Sequence, residues 1–146
     1  MNIHPALVHF PIALLFLYTL IELIPFARFM PSVPWDAVRR FLLYIGTLGA
    51  ALAAVTGIMA EDVVGESSKI EPHEETALTL VGLFILLSVL VYFWRSESVL
   101  KTWILKLLAL GGLVLLFAVG ALGANIVYGS SVDPIAAFVA GIFGVR

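Results

Sequence analysis

The three histidines of this chain stand at the openings of apolar runs: His4 and His9 head the first, and His73 heads a later one. Imidazole ligates transition metals and haem iron, and it exchanges protons near neutral pH. Polar partners recur at run ends, with Glu61 and Asp62 at the exit of the second run and Asn125, Tyr128 and Asp133 around the exit of the fourth. The chain has no cysteine, so disulfides, thiolate clusters and cysteine nucleophiles are excluded, and a metal site would use His and carboxylate. Haem iron takes axial imidazoles from the two faces of its ring, hence from different helices at matched depth, a condition His9 and His73 meet in outline. A zinc, copper or iron site would draw on His4 or His9, His73, and Glu61 or Asp62. His4 and His9 are five positions apart, about 140° around a regular helix, unlike an i, i+4 ligand pair. Pro5 and Pro11 are expected to make that stretch irregular. Two other readings stand beside a metal or haem: a proton relay, and imidazoles that close a helix entrance by bonding unpaired backbone groups and acids.

The elements that would position these groups belong in lipid. Of 146 residues, 62% are apolar and 12% charged, against roughly 25% charged in a soluble domain. Phe41 to Ala60 and Ala77 to Trp94 carry no charge at all. A helical crossing needs about 20 apolar residues, and the sequence predicts four, over 8–26, 41–60, 77–94 and 103–128, in one domain spanning 1–146. The expected fold is all-α, an integral membrane four-helix bundle. A last apolar piece begins at Asp133-Pro134 and is too short to span. It is expected to form a short interfacial or re-entrant helix, about 134–143. In the second run Gly46, Ala50, Ala53 and Gly57 recur at spacings of four, three and four. In the fourth, Gly112, Gly120 and Gly123 do similar work. Small residues let helix backbones approach in lipid, where no hydrophobic drive exists between helices.

Lys and Arg sort by side. Arg28, Arg39 and Arg40 follow the first run and Arg95, Lys101 and Lys106 follow the third, whereas Lys69 and Arg146 alone fall on the other side. This bias predicts cytoplasmic basic loops, with both termini and all three histidines on the periplasmic face of an inner membrane. Trp35, Trp94 and Trp103 then lie near the cytoplasmic interface. Glu22 sits inside the first run, 13 positions beyond His9, about 20 Å along a helix, so it cannot share their site. The expectation for it is a structural ion pair with Arg28, Arg39 and Arg40 being near enough to compete, ahead of a part in proton or ion passage. The N-terminus has no Lys or Arg before its apolar run and no cleavage motif, and it reads as a retained membrane segment. A formal net charge of −2 without a basic patch excludes nucleic-acid binding. No nucleophile elbow, P-loop, dinucleotide fingerprint or HExxH motif is present, so catalytic turnover is not expected.

His4-Pro5-Ala6-Leu7-Val8-His9-Phe10-Pro11-Ile12-Ala13-Leu14-Leu15 resembles the HPxxVHFPIALL opening of a bacterial family of predicted membrane proteins, domain of unknown function 2231. The likeness extends through the small-residue second run with its acidic exit Glu61-Asp62, through His73, and through Gly120-Ala121-Leu122-Gly123. It implies a four-helix inner-membrane protein of unassigned activity and draws attention to His4 and His9. Some relatives are joined to cytochrome-like modules, which implies a haem connection. The function expected is therefore binding of haem b or a His/carboxylate-held metal at the periplasmic face, with His9 and His73 as ligands, His4 as third ligand or hydrogen-bond partner, and Glu61 or Asp62 beside them. The alternatives are a non-catalytic scaffold or accessory subunit, packed as a homo-oligomer or within a larger membrane complex, and a proton or ion conductor.

Overall fold

A computed structural model describes residues 4–64, 70–94, 98–128 and 134–144, with side chains except at 4–6, 60–64 and 128. Five α-helices follow one another: α1 (His4–Leu23), α2 (Trp35–Val64), α3 (Ile70–Phe93), α4 (Val99–Tyr128) and α5 (Pro134–Ile142). No strand occurs among the described residues, and the architecture is an all-α bundle. The apolar stretches Trp35–Met59, Ile70–Phe93 and Val99–Val127 are long and apolar enough to cross a membrane, while that of α1, Leu7–Leu23, is shorter. At 1.5 Å per residue, the 24 residues of α3 reach about 36 Å, beyond the roughly 30 Å of a hydrocarbon core.

Each helix lies against its sequence neighbour, and α4 closes the ring by packing on α1, so α1 to α4 form a four-helix square with α5 laid on α4. Register shows the neighbours to be antiparallel. Gly46 faces Leu15 and Gly49 faces Pro11, so α2 climbs as α1 descends. Gly112 faces Phe84 and Gly123 faces His73 in the same opposed sense. The core runs through Leu15, Leu43, Phe84, Leu87 and Ala109, all fully buried. Tyr18 meets Phe84 edge-on at 6.3 Å across the square, and Phe16 meets Phe117 at 6.2 Å. A hydroxyl pair, Thr47 and Ser88 at 3.2 Å, joins α2 to α3, the kind of polar contact that helps hold helices together in lipid.

Helix ends differ from expectation for local reasons. α1 begins at His4 and runs unbroken through Pro11. Pro5 sits in the first turn, where a missing N–H costs nothing, and Pro11 has its ring against Gly49, whose absent side chain leaves it room. The stretch is thus helical, not irregular, and the 140° separation of His4 from His9 stands. α2 starts six positions earlier than its charge-free run, at Trp35, because Pro34 exposes a carbonyl to the Ala37 and Val38 N–H groups and Asp36 favours the positive end of the helix dipole. α3 takes in the acidic turn at Glu71 and runs Ile70–Phe93. α4 starts at Val99 because the Ser98 hydroxyl caps it, accepting the Lys101 N–H at 3.1 Å. α5 ends in a turn at Gly144, whose φ of 71° suits glycine.

Candidate functional site

The bundle has two polar ends, and they are built differently. At the histidine end, His73 is half-buried in the first turns of α3 and lies over Gly123 of α4: a Cβ there would come within 3.3 Å of the imidazole Cε1. Two positions on, Asn125 is 1% exposed, and its side-chain oxygen finds no hydrogen-bond donor among the described residues. His9 is exposed on α1. The side chains of His4, Glu61 and Asp62 lie outside the described residues, as does Asp133. Among the described residues no three His, Asp or Glu side chains converge to the spacing of a metal site.

The opposite end is a built cavity. It measures about 320 Å³ and lies between the last turns of α1, the first turns of α2 and α4, and Val91 of α3. Two buried polar groups of α1 stand in its wall one turn apart, Tyr18 at 1% exposure and Glu22 at 8%. Glu22 Oε2 lies 3.6 Å from Arg39 Nη1, an ion pair beyond hydrogen-bond range. Arg39 also bonds Asp36 one turn back on α2. The partner of Glu22 is therefore Arg39, a correction to the first expectation of Arg28. Arg28 sits exposed in a single 3₁₀ turn, Phe26–Arg28, outside the bundle, whereas α2, by starting at Trp35, projects Arg39 back towards α1. Arg40, Lys101 and Lys106 complete the polar wall. The Tyr18 hydroxyl has no hydrogen-bond partner among the described residues. The connection from α1 to α2 is fixed over the cavity by Trp35, which stacks on Phe26 at 5.6 Å and donates its indole N–H to the Met30 carbonyl at 2.8 Å.

The small residues expected to pack helices do so in part. Gly46, Ala50 and Ala53 are buried and Gly57 half-buried on α2, and Gly112 is buried on α4 against Phe84. Gly120 departs from the set: it is exposed, and a Cβ there would meet nothing within 4 Å. Eight positions from Gly112 is about 800° of helix rotation, some 80° away from the packed face. Gly49, not singled out beforehand, is a close contact through Pro11. Its signal was present, three positions from Gly46 and facing a proline.

The family model of predicted membrane proteins designated DUF2231 matches residues 1–136. The chain belongs to that family. Among curated proteins and solved structures, none matches it. Membership in a family of predicted membrane proteins agrees with the three apolar helices long enough to cross a membrane. The exposed Leu48, Leu52 and Val55 of α2 and Leu107, Val114 and Phe117 of α4 present apolar surface suited to lipid, and α3 and α4 are long and apolar enough to cross a membrane.

Proposed function

We propose that this DUF2231 protein is a non-catalytic inner-membrane binding module that holds an anionic group in the cavity at the basic end of the bundle. One observation carries the reading: four cations, Arg39, Arg40, Lys101 and Lys106, share a cavity with the buried Tyr18 hydroxyl, which has no hydrogen-bond partner among the described residues. Among the described residues, the carboxylates in its lining are Glu22 and Asp36, and both are met by Arg39. Arg40, Lys101 and Lys106 add positive charge to a wall that is otherwise apolar or neutral. In this reading α1 is a fourth crossing, since its 20 residues reach about 30 Å and it packs along α2. The bias of Lys and Arg then puts the cavity on the cytoplasmic side and both termini in the periplasm. Conduction is disfavoured by the sealed apolar layer of Leu15, Leu43, Phe84, Leu87 and Leu116 between the two polar ends.

The test is linkage. An anion that binds the native bundle raises its stability, by about 2.7 kcal/mol at a hundred times its Kd. Melting of the purified protein in a neutral detergent, titrated with phosphate and with glycerol phosphate, is expected to shift upward at constant ionic strength. An Arg40→Gln/Lys106→Gln variant loses the shift. No shift for any anion overturns the reading.

A second reading has its own observation. Gly123 leaves room for the His73 imidazole, whose Nδ1 is buried, and a half-buried histidine at a helix opening can ligate haem b or a metal with His4 or His9 and with Glu61 or Asp62. The absorption spectrum and metal content of protein purified from cofactor-replete cells decide it. A Soret band or bound metal lost in His73→Ala supports that reading, and a colourless, metal-free preparation removes it. A scaffold role would need a partner on the outward glycines Gly82 and Gly120, because Gly46, Gly49 and Gly112 are spent inside the chain's own bundle.

A further inference from the structure

The walls of the basic-end cavity divide by chemistry. Arg40, Lys101 and Lys106 supply charge, while Ile24, Phe26 and Val91 supply apolar surface. Long basic side chains near helix ends in a membrane reach the level of the lipid headgroups, and tryptophan marks the same level. Trp35 lines the cavity, and Trp103 is exposed on the first turns of α4, next in sequence to the lining residue Thr102. Phe29, Met30 and Phe41 are exposed around the same end, as suits acyl chains and not water. A volume of about 320 Å³ is at the small end for ligand sites. It suits a headgroup and excludes a whole two-chain lipid.

The Tyr18 hydroxyl adds the second element. It is a donor on a residue 1% exposed, in the cavity wall, with no acceptor among the described residues. Glu22, one turn away, is engaged with Arg39. A ligand that is oxygen-rich, negative and amphiphilic would supply an acceptor to this hydroxyl.

We propose that the occupant is the phosphodiester headgroup of an anionic glycerophospholipid, with its phosphate oxygens accepting from the Tyr18 hydroxyl and from Arg40 and Lys106, and its acyl chains lying outside along the bundle. This rests on the anion-binding reading above and names its ligand class. Binding here is by charge and hydrogen bonding with no covalent step. Lysine and arginine at a membrane surface would attract anionic lipid diffusely; the buried hydroxyl makes the site specific, because tyrosine-to-phenylalanine exchange leaves every charge in place.

Native mass spectrometry of the full chain released from nanodiscs of equal phosphatidylglycerol and phosphatidylcholine tests it. The expected result is retention of one phosphatidylglycerol in preference to phosphatidylcholine. The preference falls by about tenfold or more in Tyr18→Phe, as for loss of a hydrogen bond to a charged group, and falls further in Arg40→Gln/Lys106→Gln. Circular dichroism confirms that each variant keeps its helices, and Tyr18→Phe removes one oxygen without changing shape. Equal retention of the two lipids, or a preference untouched by Tyr18→Phe, overturns the proposal. If inorganic phosphate and glycerol phosphate still raise the melting temperature while phosphatidylglycerol shows no preference, the lipid is wrong and the anion site stands. If neither the soluble anions nor the lipid binds, both fail.

Discussion

Replacing Gly46 by alanine places a methyl group 2.7 Å from Leu15 Cδ2, 2.9 Å from Leu15 Cγ and 3.3 Å from Leu14 Cβ. Leu15 is fully buried, so it cannot swing outward to make room, and the Leu14 Cβ moves only with the backbone of α1. Overpacking of a filled interior costs about 1–3 kcal/mol. Alanine returns about 0.5–1 kcal/mol through its better helix propensity. At Gly120, where a Cβ meets nothing within 4 Å, only the second effect operates. The two single-methyl variants should therefore differ by about 1–3 kcal/mol, roughly 5- to 150-fold in the folding equilibrium, with Gly46→Ala the less stable. The assay is reversible unfolding in mixed micelles titrated with dodecyl sulfate, followed by circular dichroism. A double-mutant cycle with Leu15→Ala should show favourable coupling, because the shorter side chain clears the methyl. Gly46→Ala as stable as Gly120→Ala, or no coupling to Leu15, would refute the packing of α1 on α2 described above.

Three further outcomes follow from the same contacts. Gly112→Ala meets the Phe84 ring at 2.8 Å and should cost about 1–3 kcal/mol, with Phe84→Leu recovering part of it in the double variant, as read by the same unfolding titration. Arg39→Gln should destabilise more than Glu22→Gln, since it strands a carboxylate that is 8% exposed, whereas Glu22→Gln leaves Arg39 with Asp36; removing one member of a fully buried pair costs about 3–5 kcal/mol, and the partial exposure of Arg39 lowers that figure. Tyr18→Phe should stabilise the ligand-free bundle in neutral detergent by up to about 1–3 kcal/mol, the cost of a buried unpaired hydroxyl, while weakening anion binding; a loss of stability in the empty protein would mean that the hydroxyl has a partner.

Membrane class and helical fold were legible because composition and run length are properties of whole segments. Side was harder to read than segment. Gly112, Gly120 and Gly123 look alike along the chain, yet Gly112 packs on Phe84, Gly123 leaves room for His73, and Gly120 faces outward, because a straight helix turns about 100° per residue. The partner of Glu22 depended on where α2 begins, and a proline carbonyl and an acidic first turn moved that start to Trp35, beyond what a charge-free run can show. Histidine drew attention to one end by its rarity. The cavity at the other end is made of ordinary residues from four helices, Tyr18, Glu22, Arg39 and Lys106 among them, which no local motif connects.

The central claim is that an anionic group sits against Tyr18 in the basic-end cavity. Solid-state NMR of the chain in phosphatidylglycerol bilayers, with tyrosine labelled at 13Cζ, measures this directly through 13C–31P dipolar dephasing. The expected result is a strongly dephased tyrosine signal that is missing from the Tyr18→Phe variant. Dephasing that is identical in the two proteins would contradict it.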